Sequence, residues 1–514
     1  MTITQWLIFF VLINLIHGLA TFNFYKKAGK EIWKAFVPFL NMYELMDILN
    51  RPKWWMIFVY IPIVNLLMMP VIWVQTLRVF GKDSSNDMWL AVISLGLYVA
   101  YVNIVEGKKL NYIENYKNDK ETLIGSLIFA VIAATIVHTY FMQPYTIPTP
   151  SLEKSLLVGD YLFVSKFHYG ARPPMTTVAL PMVHDTIPIL KTRSYLKFPQ
   201  LPYLRLPGFQ KIKRNDIVVF NWPADTVKYF FQHDIPQYKP IDKKSHYVKR
   251  CVAIAGDSLQ IKDGILYING KKTVYPDRTY LQHVYFIKTK DSMDFTRNTL
   301  RRLIRNYDIK EIYTLNKKGT YLMNLTDKQL QQIKKLSNVE NVSLYNSGKG
   351  EMFGGHKDWG INNFGPIYVP KKGDVVQLNK ETYPFYKWII SRYDDHDAGH
   401  QIDKHKVELK GNDVYIDGEL TKEYTVKQDY YWMMGDNRSK SEDSRFWGFV
   451  PFDHVVGKPV FIFMSIDKET GKIRRDRVFT TVSGKGKRVS YLLPFFGLIV
   501  LYYAGKKFIK KNKE

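Results

Sequence analysis

The sequence predicts a membrane-anchored α+β protein, in which N-terminal transmembrane helices precede a mostly β domain that carries an inserted α/β subdomain. Four long runs without Asp, Glu, Lys or Arg lie within the first 142 residues, and short alternating segments follow them. The composition agrees with this division. With 46% apolar and 23% charged residues, the chain is too apolar to be disordered and too polar to lie wholly in lipid.

The four runs are long enough to span a bilayer, because about 20 helical residues cover a hydrocarbon core of roughly 30 Å. Pro62 and Pro70 interrupt the second run, so a re-entrant or surface-lying segment is the alternative there. In the first run the basic residues follow the apolar stretch, which is the wrong order for a cleaved signal peptide. The runs are Thr2 to Tyr25, Trp54 to Leu77, Met88 to Val105 and Leu123 to Met142, with a shorter one at Val489 to Ala504.

Lysine clusters predict the orientation, because cytoplasmic loops of membrane proteins are enriched in basic residues. The clusters follow the first run, separate the third from the fourth, and follow the last. If all three are cytoplasmic, the fourth helix exits outward and the last returns the chain inside. The lysines are 26, 27, 30 and 34, then Lys108, Lys109, Lys117 and Lys120, then Lys506, Lys507, Lys510 and Lys511.

These assignments divide the chain into five parts. Residues 1–120 form an N-terminal transmembrane region of about three helices, and residues 121–143 a helix that leads into the next domain. Residues 144–481 form an extracytoplasmic β-rich domain with an insert at about 276–355. A helix over 489–504 and a basic cytoplasmic tail over 505–514 complete the chain.

The net charge of +26 is unevenly distributed, with +3 on residues 1–144, +16 on residues 145–481 and +7 on the remainder. Such an excess predicts contact with nucleic acid or with an anionic membrane surface. Arg301, Arg302 and Arg305 of the insert prompt the first alternative, but the outward orientation argues against nucleic acid. We therefore expect the middle domain to be attracted to anionic lipids.

Cys251 is the one cysteine of the chain, which excludes an internal disulfide and any zinc or iron–sulfur site built from cysteines. We predict no cofactor and no metal.

The segments after Tyr145 alternate apolar and polar residues, which is typical of strands. Residues 258–270 and 406–418 each combine two such segments with a glycine-containing turn and predict β-hairpins. Helical spacing at Phe295 to Tyr307 and at Thr326 to Leu336 predicts the α/β insert. The remaining predicted strands are residues 161–166, 216–220, 247–254, 373–378 and 458–463.

Ser151 is a candidate nucleophile, because it follows a proline-rich extended segment directly behind the fourth apolar run. A serine hydroxyl needs a base before it can attack. Lys154 is one candidate base, as in the S-x-x-K pattern of penicillin-binding proteins, but the companion motifs are absent and the prolines oppose a helix there. Lys249 is the other candidate, since it places a charge inside an otherwise apolar strand.

Four segments, taken in order, resemble bacterial type I signal peptidases, the membrane-anchored serine proteases that remove signal peptides from exported proteins. The segments are Ile147-Pro-Thr-Pro-Ser-Leu152 with Gly159-Asp160, Lys213-Arg-Asn-Asp-Ile-Val-Val-Phe220, Tyr247-Val-Lys-Arg250 with Ala255-Gly-Asp257, and Gly435-Asp-Asn-Arg438 with Asp443-Ser-Arg-Phe-Trp-Gly448.

The resemblance implies a mostly β catalytic domain of the signal-peptidase type, held at the outer face of the bacterial inner (plasma) membrane by several helices. It implies Ser151 as nucleophile, Lys249 as general base and Ser441 as the serine that orients the lysine. Asp443 and Arg445 match a structural ion pair, and Asp436 lies in the same motif. Thr149 stands where the family usually has serine, and its hydroxyl and the N–H of Ser151 would form the oxyanion hole.

The base must be neutral, and lysine has a pKa of about 10.4 in water, so we expect burial to lower the pKa of Lys249. The implied substrates are exported preproteins, cleaved after small residues in A-x-A-like order. An inactive membrane-tethered binding or assembly factor on the same scaffold is the alternative function. The additional helices serve either as simple anchors or as contacts for the export machinery.

Overall fold

The computed structural model describes residues 1–114, 116, 123–226, 236–346, 352–395 and 402–511. Several predictions fall partly outside these ranges. They concern Lys117 and Lys120 of the second lysine cluster, residues 121–122 of the fourth apolar helix, residues 347–351 of the insert and residues 512–514 of the tail.

The N-terminal region is a set of helices packed around an apolar core. Phe24, Leu45 and Val102 are fully buried in that core, so the helices pack against one another. The helices are α1 (Ile3–Lys27), α2 (Leu40–Ile48), α3 (Met56–Tyr60), α4 (Val64–Val79), α5 (Ser85–Ile93) and α6 (Leu97–Val105).

Two of the predicted spans are broken. The second run is divided between α3 and α4, because Ile61 is extended before Pro62 and Ile63 has a positive φ of 70°. The third run is divided between α5 and α6 by a bend of 118° in the helix axis, because Leu95 and Gly96 are in the left-handed region. Neither run is therefore one continuous helix, and the bent pair α5 and α6 is either a broken span or a re-entrant segment.

One helix in the described part of the chain, α1, is long and apolar enough to cross a membrane. The bent pair α5 and α6 would make a second if the two count as one span. Shorter apolar helices cover Val64–Val79, Gly125–Phe141 and Leu492–Lys506. The structure therefore contains an N-terminal apolar helix and does not confirm the predicted set of several transmembrane helices.

The fourth run is helical and leads directly into the β domain. Helix α7 (Leu123–Ile136) continues in a π-helical turn over Val137–Phe141, and strand β1 (Met142–Thr146) begins at the next residue. Ser151 therefore lies a few residues beyond the end of an apolar helix.

The β domain is built on a curled sheet in which every neighbouring pair of strands is antiparallel. The strand order is β1-β2-β20-β3-β4-β18-β19, with β21 beside β20. The strands are β2 (Asp160–Ser165), β3 (Ile217–Asn221), β4 (His246–Ala253), β18 (Tyr430–Met434), β19 (Val450–Pro451), β20 (Val455–Ser465) and β21 (Thr480–Thr481).

Smaller sheets extend this domain, and both predicted hairpins are confirmed. The first hairpin is β5 (Ser258–Lys262) with β6 (Ile265–Ile268), joined by β7 (Lys271–Lys272) and β12 (Phe364–Tyr368). The second is β14 (Val407–Lys410) with β15 (Asp413–Ile416), joined by β16 (Glu419–Leu420). The other elements are β13 (Val375–Gln377), α10 (Tyr383–Trp388), β17 (Glu423–Thr425), α11 (Ser444–Trp447) and α12 (Leu492–Lys511).

The residues predicted to form the α/β insert contain a separate four-stranded sheet and two helices. Its sheet has the order β11-β8-β10-β9, and α8 and α9 pack against it through a core that includes Leu303, Met323 and Ile333. The elements are β8 (Gln282–Thr289), α8 (Arg297–Asn306), β9 (Ile312–Thr314), β10 (Thr320–Thr326), α9 (Asp327–Lys334) and β11 (Val339–Leu344).

Candidate active site

Ser151 lies in a one-turn 3-10 helix, Pro150–Leu152, that follows β1. Pro150 begins this turn, where a missing N–H costs nothing. Leu152 and Leu156 are fully buried in the cluster that contains Ile217 of β3, so the turn is fixed to the curled sheet. Ser151 itself is 6% exposed and is therefore largely shielded from bulk water.

Lys249 reaches the same point from β4, where it is opposite Val218 of β3. Its Nζ lies 2.6 Å from Ser151 Oγ, and only 5% of the residue is exposed. These two residues are 98 positions apart in the sequence, and the sheet brings them into hydrogen-bonding contact. That distance is within the range in which a base takes a proton from a hydroxyl.

Burial lowers the pKa of Lys249 from the usual 10.5 to about 8. The nearby carboxylate of Asp443 acts in the opposite direction and Arg445 in the same direction as burial, but both effects are smaller. At pH 7 a lysine with a pKa of about 8 is neutral in about one molecule in ten, against about one in three thousand for a pKa of 10.5, and the neutral amine is the form a general base requires.

Lys154 points away from the site. Its Nζ pairs with Asp308 Oδ2 of the insert at 2.5 Å and donates to the Asp308 carbonyl at 3.0 Å. Its backbone has a positive φ of 68°, so the residues after Ser151 do not continue as the helix that S-x-x-K requires. The geometry therefore favours Lys249 over Lys154 as the base.

The loop after β18 lies directly against the nucleophile. A Cβ atom placed on Gly435 would lie 2.3 Å from Ser441 Oγ and 2.5 Å from the Ser151 carbonyl oxygen, so glycine is required for this approach. Asn437 donates its main-chain N–H to the Ser151 carbonyl at 3.0 Å and its side-chain Nδ2 to the Pro150 carbonyl at 3.2 Å. Sequence reasoning assigned no role to Asn437, although it stands in the quoted motif.

Ser441 is brought to the site by this loop, with 5% of the residue exposed. Its Oγ has no hydrogen-bond partner within the described residues, so no bond to Lys249 supports the predicted orienting role. Thr149 is exposed, and no side-chain bond from it caps the turn that contains Ser151. Ser151 is the second residue of that turn, so the turn itself offers no carbonyl to accept a hydrogen bond from the main-chain N–H of Ser151.

Two buried ion pairs hold the loop. Asp443 accepts two bonds of 2.8 Å from the Arg445 guanidinium and one of 3.2 Å from its main-chain N–H, and both side chains are fully buried. Burial tends to raise the pKa of Asp443, but the charge and hydrogen bonds of Arg445 outweigh it and the pKa is lowered. Asp436 pairs with Arg250, the residue after Lys249, through bonds of 2.8 and 2.6 Å. The predicted Asp443–Arg445 pair is thus present, and Asp436 connects the loop to β4.

A third buried pair was not predicted. Arg477, which follows β20, donates its Nε to Asp160 Oδ1 at 2.9 Å, and Arg488 donates to the carbonyl of Ser155 at 2.7 Å. Asp160 was quoted as part of the first motif, but its basic partner is 317 positions away and carries no signal in the sequence.

Within the described ranges, no group of three His, Cys, Asp or Glu residues could hold a metal ion.

The fold and this site define the class: a β-domain hydrolase in which a serine hydroxyl contacts a buried lysine. The comparisons narrow the class to serine endopeptidases. A family model described as "Signal peptidase, peptidase S26" matches residues 120–342 and 368–464, more than half of the chain. The chain therefore belongs to the signal peptidase family, peptidase S26, and is a serine endopeptidase with signal peptidase function.

Relatives named "Signal peptidase I" support this assignment. The protein from Buchnera aphidicola of Schizaphis graminum is 25% identical over 346 residues, which are 67% of this chain and 75% of the relative. That of Buchnera aphidicola from Acyrthosiphon pisum is 27% identical over 360 residues, 69% of this chain and 79% of the relative. The Helicobacter pylori protein is 23% identical over 377 residues, 71% of this chain and 93% of the relative. The alternative of an inactive scaffold finds no support here.

The N-terminal helices match a different model. A family of unknown function, DUF5684, matches residues 33–115, which contain α2 to α6. The bent helices before α7 thus form a unit that is separate in sequence from the peptidase match.

Proposed function

We propose that the protein cleaves signal peptides from exported preproteins with Ser151 as nucleophile and Lys249 as general base. One observation carries the proposal: in a chain of this family, Ser151 Oγ lies 2.6 Å from the Nζ of a buried lysine. The relatives' name, Signal peptidase I, supplies the substrate class.

In this mechanism neutral Lys249 takes the proton of Ser151 as Oγ attacks the carbonyl carbon of the scissile peptide bond. The resulting oxyanion accepts hydrogen bonds from the Ser151 N–H and from the Thr149 hydroxyl. Lys249 then donates its proton to the leaving amine, which departs as the new N-terminus. In the second half, Lys249 deprotonates the water that hydrolyses the acyl-enzyme.

The remaining site residues have supporting roles in this proposal. Ser441 has a buried hydroxyl without a partner in the described part of the chain, and we assign it to orienting the lysine amine when substrate excludes water. Asp443 with Arg445, and Asp436 with Arg250, keep the loop after β18 against the nucleophile.

The substrate is bound as an added strand. Strand β1 is at the edge of the curled sheet and leads into the turn that carries Ser151. An extended peptide that pairs with the open side of β1 would reach the dyad with its main chain, and small pockets would select small side chains. This arrangement accounts for A-x-A-like specificity.

The catalytic domain is placed on the extracytoplasmic face of the bacterial inner membrane, with several helices as anchors. The apolar character of α1 and the direct passage from the α7 helix into β1 support a position at the membrane surface. The positive charge of residues 145–481 favours contact with anionic lipids. The helices before α7 are assigned to anchoring, with contact to the export machinery as the second candidate.

The test is cleavage of a model preprotein by the full-length protein in detergent, with Ser151→Ala as the matched control. We expect cleavage by the wild type alone, at the end of the signal peptide. Bulky replacements of the small residues before the bond should abolish it. Equal activity of Ser151→Ala would contradict the nucleophile assignment, and undiminished cleavage of the bulky substrates would contradict the specificity.

A further inference from the structure

The inserted subdomain contacts the catalytic loop directly. The main-chain N–H of Gln282, the first residue of β8, donates to the carbonyl of Asp436 at 2.9 Å. Lys440 pairs with Glu311 of the insert at 2.9 Å and donates to the Tyr313 hydroxyl at 2.8 Å. The insert therefore contacts both ends of the segment from Asp436 to Lys440, and this segment lies against Ser151.

The centre of this contact is Asn437. Its two donors hold the carbonyls on both sides of the nucleophile, since the N–H bonds Ser151 and Nδ2 bonds Pro150. Its side-chain Oδ1 therefore faces the insert. There it accepts a bond of 3.0 Å from Nδ2 of Asn324, which lies on β10.

Asn324 can donate to Asn437 Oδ1 because its side chain is buried and is fixed by a second hydrogen bond. It is 3% exposed, and its Nδ2 also donates to Glu311 Oε2 at 2.9 Å. Its Oδ1 has no partner within the described residues, so both bonds depend on the amide nitrogen. A side chain that cannot donate would leave the buried Oδ1 of Asn437 unpaired.

We propose that Asn324 is a positioning residue, which acts through Asn437 to hold the Ser151 turn at the distance that Lys249 requires. The insert is thereby part of the catalytic support and not an independent module. An unpaired Asn437 amide could rotate to find another partner and would release the Pro150 carbonyl. A displacement of about 1 Å at reacting atoms can lower a rate as much as 100-fold.

This inference rests on the proposed function, so the experiment includes wild type and Ser151→Ala in the same preprotein assay. The test variant is Asn324→Ala in the full-length protein in detergent. The matched control is Asn341→Ala, an exposed asparagine on β11 of the same insert. We expect kcat of Asn324→Ala to fall about tenfold or more with KM within about twofold, and Asn341→Ala to match the wild type.

A second variant separates donation from packing. Asn324→Asp keeps the shape and removes the donor, and combining it with Glu311→Gln preserves the total charge. The double variant should melt at a somewhat lower temperature than the wild type, because the buried Oδ1 of Asn437 loses its donor, but should remain folded at the assay temperature and still show the lowered kcat. Glu311→Gln alone should show a smaller loss of kcat.

The outcomes are distinct. An Asn324→Ala enzyme with wild-type kcat would overturn the inference while leaving the dyad intact. Recovery of full kcat in the charge-matched double variant would also overturn it, because the shape and charge of residues 311 and 324 would then be enough to keep kcat, without the donor at position 324. A wild type as inactive as Ser151→Ala would instead overturn the proposed function itself, and the positioning role with it.

Discussion

Replacing Lys249 by methionine should abolish cleavage and at the same time stabilise the folded protein, by an amount that falls as the pH rises. Methionine has a similar length and fills the same buried space without a charge. The wild-type lysine must be kept in the fold at 5% exposure, where its charged form is disfavoured. The same burial that lowers the pKa of Lys249 should therefore lower the stability of the wild type.

The magnitude follows from the two pKa values. The folded protein holds Lys249 with a pKa of about 8, against 10.5 for the ordinary side chain. Below about pH 8 the lysine is charged in both states, and the difference corresponds to about 3 kcal/mol of lost stability. Between those values the unfolded chain binds the extra proton, so the penalty declines to about 2 kcal/mol at pH 9. It should nearly vanish above about pH 10.5.

The assay is chemical unfolding of the full-length protein in detergent, followed by fluorescence from pH 6 to pH 10. The measured quantity is the free energy of unfolding of Lys249→Met minus that of the wild type. Lys380→Met, at an exposed lysine of the same domain, is the matched control, and we expect its effect to stay within about 0.5 kcal/mol. A Lys249→Met difference that is independent of pH, or that grows with pH, would refute the lowered pKa.

Three further predictions concern the site. The value of kcat/KM should rise with pH through about 8, as Lys249 loses its proton, and fall about tenfold per unit well below it; a flat profile from pH 6 to pH 9 would contradict the assignment. Lys154→Ala should keep most of the cleavage activity because Lys154 pairs with Asp308, and a loss as large as that of Lys249→Ala would move the base to Lys154. Asp443→Ala should lower the free energy of unfolding by about 3 to 5 kcal/mol in urea titration, because Arg445 would remain buried without its partner; a loss below about 1 kcal/mol would show that the pair is not structural.

Much of the β domain was predictable because its signals are local. Alternating apolar residues gave the strands that carry Lys249 and Val218, and glycine-containing turns gave both hairpins. The helical spacing of the insert was equally visible, since α8 and α9 each bury one apolar face. The prediction of Ser151 as nucleophile and Lys249 as base came from the order of the motifs, which reflects a resemblance and not a calculation of the distance between the two residues.

The bends of the N-terminal helices were less predictable. Pro62 marks one break in the sequence, but the second lies at Leu95 and Gly96 within an unbroken apolar run. Glycine is common in transmembrane helices, so a single one does not indicate a bend of this size. Tertiary packing of α5 and α6 against neighbouring helices decided the local conformation.

Contacts between segments that are distant in the chain could not be predicted from the sequence. Asn324 and Asn437 are 113 positions apart, and asparagine is so common in turns and on surfaces that neither residue signals a pairing. The same holds for Arg477 with Asp160. These are the contacts that connect the insert and the C-terminal segment to the nucleophile turn.

The ion pair of Asp443 and Arg445 also has an electrostatic consequence for the base. An isolated carboxylate beside Lys249 would stabilise the ammonium form, and Asp443 is the strongest such influence on it. Arg445 lies against Asp443 and acts on Lys249 in the opposite sense, so it offsets part of the effect of Asp443 at the amine, while Glu442 and Asp436 also favour the ammonium form. The carboxylates of the loop therefore oppose the shift without reversing it, because burial is the largest influence on Lys249 and its pKa stays lowered to about 8.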